Sequence, residues 1–64
     1  MYERYAALRD QAGETDYSVA KATGIYPSTL AEWKRGTYTP KLDKLKLIAD
    51  HFGVTLDYLA GGDK

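Results

Sequence analysis

Val19-Ala20-Lys21-Ala22-Thr23-Gly24-Ile25-Tyr26-Pro27-Ser28-Thr29-Leu30-Ala31-Glu32-Trp33-Lys34-Arg35-Gly36 is the stretch whose reading decides the fold. It predicts two short helices joined by a tight turn at Gly24. Apolar residues at helical spacing bury one stripe and leave the other face polar, which sends Val19, Ala20, Ile25, Leu30 and Trp33 inside. Ala20 stands where the two helices come closest, and a larger side chain there would push them apart. Gly24 is expected at positive φ, a conformation that costs a β-branched residue heavily. Pro27 opens the second helix at its first position, where a missing N–H costs nothing. Each of these positions is commonplace alone. At steps of 4, 1, 5 and 3 from Ala20 through Gly24, Ile25, Leu30 and Trp33 they form a specific signal.

A pair of helices of this kind, with the polar face of the second left unpartnered, is how a helix-turn-helix offers a helix to the major groove of DNA. With Leu30 and Trp33 inside, Ser28, Ala31, Glu32 and Arg35 point outward. Ser28 can bond several base atoms or a phosphate, Ala31 can meet a thymine methyl, Glu32 can accept from the cytosine amino group, and Arg35 can reach guanine or a phosphate. The start of such a helix lies deepest in the groove. Ser28 and Glu32 therefore rank above Arg35 for base reading, and Arg35 above them for phosphate contact. Tyr26, just before the helix, is placed against the sugar–phosphate backbone or a thymine methyl. The alternative for the whole set is an ordinary solvated helix face.

Phosphate contacts are expected around the reading helix, from Lys21, Lys34, Arg35 and Lys41, with Thr29 beside them. Thr37, Tyr38 and Thr39 add hydroxyl donors. Backbone N–H groups at the helix starts near Tyr17 and Lys41 are further candidates, because helix N-termini bind anions. The charge pattern agrees with this placement. The 64 residues carry zero net charge, but residues 1–16 sum to −2, residues 17–46 to +4 and residues 47–64 to −2. A mixed-charge solvated surface is the bland reading of the same numbers.

Outward from the motif, Gly13, Gly24, Gly36, Gly53 and Gly61 each follow a stretch of helical pattern, as residues that close a last turn do. They divide the chain into five helices at about 2–12, 16–23, 27–35, 41–52 and 55–60, a domain over 1–60, with 61–64 expected as a flexible tail or linker. In the first helix Met1, Tyr5, Leu8 and Ala12 share a stripe. Thr15 is the expected N-cap of the second, with Asp16 in its first turn. Pro40 precedes the fourth, whose core stripe is Leu42, Leu45, Ile48, Ala49 and Phe52. On that phasing Leu47 is exposed, an ordinary surface leucine or part of a dimer contact. Thr55 is the expected N-cap of the fifth. Tyr5 and Tyr58 are expected at core edges, and Tyr26 and Tyr38 facing DNA.

A chain of this length holds one small core. It has no cysteine, which excludes disulfides and thiolate metal sites and fits a reducing cytoplasm. No apolar run approaches the ~20 residues of a membrane span, and Met1-Tyr2-Glu3-Arg4 opens a charged helix without a signal-peptide hydrophobic region. His51 is the only histidine and falls in the last turn of a helix, where a cation is favoured. Neither metal-ligand spacing nor a phosphate-cradling glycine pattern is present, so no enzyme, metal or cofactor is expected.

The residues Tyr17 to Ile25, Pro27 to Gly36 and the downstream Leu45-Lys46-Leu47-Ile48-Ala49-Asp50-His51-Phe52-Gly53-Val54-Thr55-Leu56-Asp57-Tyr58-Leu59 resemble the phage-repressor and Cro-like (XRE) helix-turn-helix family of prokaryotic DNA-binding regulators. The resemblance covers nearly the whole chain. It implies an all-α, five-helix, lambda-repressor-like domain that binds operator DNA, usually as a dimer, and represses or regulates transcription in the cytoplasm, on the nucleoid. Its reading positions fall on Tyr26, Pro27, Ser28 and Glu32.

The chain also departs from that pattern. Relatives often carry Ser or Thr where Tyr26 stands, so Tyr26 cannot cap the third helix in the same way. Many have Glu where Lys34 stands, paired with an arginine of the first helix, which leaves Arg9 without that partner. Asp16 replaces a phosphate-contacting Gln, and its charge would repel DNA. Lys46 and Leu47 look interchanged.

A homodimer is expected on a palindromic operator, with Val54, Leu56 and Tyr58 as the contact. A second class remains open, the same fold used as a protein-binding module, an antitoxin or an adaptor. Zero net charge, Asp16 and Glu32 keep it in view.

Overall fold

The computed structural model describes residues 1–61. They form five helices, α1 (Tyr2–Gln11), α2 (Asp16–Thr23), α3 (Pro27–Arg35), α4 (Leu42–Phe52) and α5 (Leu56–Leu59), and no strand among the described residues. Residues 62–64 of the expected tail lie outside the described residues.

Local chemistry sets the ends. At the start of α2 the Ser18 N–H donates to the Thr15 hydroxyl (3.1 Å) and the Thr15 N–H donates to the Ser18 hydroxyl (2.9 Å), a reciprocal capping box. Thr55 caps α5 by accepting from the Tyr58 N–H at 3.0 Å. α3 starts with Pro27 behind an N-cap, Tyr26, whose side chain makes no capping bond. At the turn between α2 and α3, Gly24 has φ 79° and donates its N–H to the Ala20 carbonyl at 2.8 Å. A Cβ built on Gly24 would meet nothing within 4 Å, so the demand for glycine here is conformational and not steric.

The core gathers one or more residues from every helix: Tyr5, Val19, Ala20, Leu30, Trp33, Leu45, Ile48, Ala49 and Leu59, with Ile25 from the turn. α2 packs against α3 and α4, and α5 against α4. The five positions expected inside from the motif are all buried. Trp33 fixes the end of α3 to α1: the Tyr5 ring stacks on it at 5.2 Å between centroids, and Tyr2 meets it edge-on at 5.4 Å. Phe52 closes on the other side of Tyr5 at 6.2 Å. Such aromatic pairs add to the burial of their area.

Four expectations are corrected. Met1 and Ala12 are exposed rather than on the core stripe, because α1 ends at Gln11 and the two residues flank it as caps. Tyr2 packs against the core in their place. Leu42 is 67% exposed. It is the first residue of α4, and the buried residue at that approach is Pro40. Tyr5 is fully buried rather than at a core edge, whereas Tyr58 is half-buried beneath the Arg4 guanidinium, 4.4 Å from its ring. Leu47 is exposed, as the phasing of α4 required. Among the described residues no helix is long and apolar enough to cross a membrane.

Candidate nucleic-acid interface

With Leu30 and Trp33 buried, the opposite face of α3 is turned to solvent. Pro27, Ser28, Glu32, Lys34 and Arg35 are exposed, and Ala31 and Thr29 are half-buried. Tyr26, at the N-terminal end, is 75% exposed. Glu32 and Arg35 lie on one side of the helix and make a loose ion pair, 3.9 Å apart, between exposed side chains. Pairs of this kind hold little energy, so the contact leaves both groups free to take other partners.

The expected phosphate set, Thr29 apart, is also turned to solvent. Tyr17 and Lys21 on α2, Lys34 and Arg35 on α3, and Thr37, Tyr38, Thr39 and Lys41 after it are all exposed. Thr37 is turned back on the helix: its hydroxyl donates to the Glu32 carbonyl at 3.2 Å, which helps to close α3 and commits the donor that a phosphate would need. Lys41 is the N-cap of α4 and makes no side-chain cap.

The two ends of α2 differ electrostatically. At its start the Asp16 carboxylate is already engaged. Its Oδ1 accepts from the Tyr5 hydroxyl at 2.7 Å and from Arg9 Nη1 at 2.8 Å. Burial pushes the Asp16 carboxyl up, but the hydrogen bonds from Tyr5 and Arg9, with the charges of Arg9 and Lys34, outweigh it and hold the group below the ordinary carboxylate value. Arg9 is held above its usual range, chiefly by its hydrogen bond to Asp16 and then by that to the Tyr2 hydroxyl. Burial, followed by the bond to Asp16, pushes the Tyr5 phenol up.

Arg9 therefore does have a partner. The family's Glu partner is absent, as Lys34 at that place implied, and Asp16 pairs with Arg9 instead, so the Asp16 charge is not a bare one. The spacing could not show this, because the pair closes across the loop between α1 and α2. A second link was also missed. His51 Nε2 lies 2.8 Å from Glu14 Oε2, and Glu14 Oε1 accepts from the Ser18 hydroxyl at 3.1 Å, which ties the end of α4 to the cap of α2. These residues stand 37 positions apart, and only tertiary packing brings them together.

The candidate dimer residues are placed differently. Val54 and Leu56 are half-buried against the core of their own chain, and Tyr58 is covered in part by Arg4. Among the described residues no three His, Cys, Asp or Glu side chains come together as a metal cluster.

A capped supporting helix, a left-handed glycine turn and a second helix anchored beneath by tryptophan, with its polar face open, define a helix-turn-helix. A sequence model described as helix-turn-helix matches residues 6–59, most of the chain. The chain belongs to that family, the XRE-type helix-turn-helix proteins, a family of DNA-binding regulators. Among curated proteins, no match to the chain is found.

Proposed function

We propose that the chain is a sequence-specific regulator, acting as a transcriptional repressor that places α3 in the major groove of double-stranded DNA. One observation carries this reading: the face of α3 opposite Trp33 is exposed from Tyr26 to Arg35 and rich in groups that pair with base edges and phosphates. Ser28 and Glu32, with Tyr26, Pro27 and Ala31, are the base-reading set. Tyr17, Lys21, Thr29, Lys34, Arg35, Tyr38 and Lys41 hold the backbone. Thr37, whose hydroxyl is turned back on the Glu32 carbonyl, is left out of the phosphate set. The Asp16–Arg9 pair removes the repulsion that a bare carboxylate at the start of α2 would exert on a phosphate.

The chain works as a homodimer on a palindromic operator, with half-sites one helical turn apart, ~34 Å. Val54, Leu56 and Tyr58 supply the contact, and the protein acts in the cytoplasm, where a chromosome is directly accessible.

Selection of bound sites from random duplex DNA, followed by a salt titration on the selected duplex, tests the reading. Affinity is expected to fall linearly in log salt, with a slope set by the phosphates neutralised. Lys21→Ala and Arg35→Ala are expected to weaken all duplexes and to flatten that slope. A chain that selects no sequence and shows no salt slope is instead a protein-binding module of the same fold.

A further inference from the structure

Beside the polar face of α3 the surface is not flat. A cleft of about 330 Å³ lies between α2 and the start of α3. Ala20 and Ile25, both buried, make its floor, and Tyr17, Lys21, Tyr26 and Pro27, all exposed, make its rim. The floor is aliphatic, two walls are aromatic rings, and one cation stands at the edge. Among the described residues, none fills the space.

The occupant has to suit each of these features. It presents an apolar group to the floor and carries negative charge within reach of a lysine side chain. The cleft is bounded by α2, the turn and Pro27, the first residue of α3, and that end of the helix lies deepest in the groove when such a helix docks. What meets it there is a base edge rather than the outer backbone. Only one base displays an apolar group on its major-groove edge, thymine, through its C5 methyl.

We propose that this cleft is a thymine subsite: the methyl enters between Tyr17 and Tyr26 over Ile25 and Ala20, while Lys21 takes a phosphate of the same strand. The inference rests on the DNA-binding reading and adds to it a specificity-determining contact outside the polar code of α3. It gives Tyr17 a role in sequence preference as well as in affinity. It also separates two methyl readers, this cleft at the start of α3 and Ala31 one turn further along.

The test replaces each thymine of the selected duplex, one at a time, with deoxyuridine, which removes only the methyl. Binding is measured for the wild type, Tyr17→Ala, Tyr26→Ala and the double variant. Both rings are exposed, so the variants are expected to keep the wild-type circular dichroism spectrum. At one thymine of each half-site, deoxyuridine is expected to weaken wild-type binding about fourfold, the factor that corresponds to burying one methyl group. In the double variant thymine and deoxyuridine bind alike at that position, and Lys21→Ala keeps the discrimination while flattening the salt slope.

A scan that is flat for the wild type overturns the proposal and leaves the DNA-binding reading intact. A penalty that persists in both tyrosine variants assigns the methyl to Ala31 and also overturns it. Absence of any salt-dependent duplex binding defeats both readings together.

Discussion

Tyr2 and Tyr5, packed on Trp33, and Tyr17 and Tyr26, at the cleft between α2 and α3, are the same residue type put to opposite uses. Tyr5 is walled in between Trp33 and Phe52, and its hydroxyl ends on the Asp16 carboxylate at 2.7 Å. A phenol can be fully buried only when its polar tip finds such an acceptor. Tyr26 is left 75% exposed and Tyr17 67%, with their rings around an open cleft. The first pair holds α3 in place from beneath and the second stands where a ligand arrives. The two ends of α3 divide in the same way, with Trp33 anchored at one and Tyr26 free at the other. A reading helix needs both: rigidity where it meets the domain and unpartnered chemistry where it meets DNA.

The comparison is broken most severely by Trp33→Ala. Loss of a buried aromatic of this kind costs ~3–5 kcal/mol, and a small domain has little more in total. The variant is expected to be largely unfolded, as read by circular dichroism and chemical denaturation, since Trp33 is the only tryptophan and its fluorescence goes with it. A variant that stays folded would show that α3 does not depend on the aromatic cluster.

The Asp16 link comes next. Asp16→Ala leaves the Tyr5 hydroxyl and Arg9 without their shared acceptor, at an expected ~1–3 kcal/mol. The pH dependence has a definite sign. The folded pKa lies below the ordinary value of 3.8, so the contribution is complete above that value and is lost as pH falls through the lower folded one. Asp16→Asn, which keeps an oxygen acceptor without the charge, is expected to flatten the acid limb of stability below about pH 4. An acid limb of unchanged steepness would assign it to other carboxylates.

On the open side, Glu32→Ala is expected to change which base is preferred at one position, by ~1–3 kcal/mol, with the fold unaffected. A uniform loss across sequences would remove Glu32 from base reading. Gly24→Ala is expected to cost ~1–2 kcal/mol, entirely as backbone strain, because the space for a methyl is already there. The smallest effect sharpens the contrast between the tyrosines. Tyr17→Phe and Tyr26→Phe are expected to change stability by no more than ~0.5 kcal/mol, whereas Tyr5→Phe, which strands the Asp16 carboxylate without that donor, is measurably destabilising in the same denaturation assay.

Much of this was readable in the linear chain because it is set by neighbours. Thr15 capping α2, the left-handed turn at Gly24, Pro27 opening α3 and the inward positions of Leu30 and Trp33 all follow from local backbone sterics and helical spacing. The exposure of Leu47 follows from the same spacing within α4. The exposed face of α3 is the complement of its buried stripe, and it too was legible. Helix ends were less so: Ala12 and Leu42 fit the periodicity of their stripes, yet both sit at helix boundaries where the core has already turned away.

Sequence by itself determined the helix-turn-helix, its punctuation and the residues it offers outward, since those depend on interactions a few residues long. Tertiary structure alone decided that Asp16 is neutralised by Arg9 and bonded by Tyr5, that His51 meets Glu14, and that Tyr17 and Tyr26 frame one cleft. Charges and rings from different helices acquire their surroundings only when the helices pack. The strength of a hydrogen bond or an ion pair then depends on the distance and burial that packing creates, and neither is written in the spacing of residues along the chain.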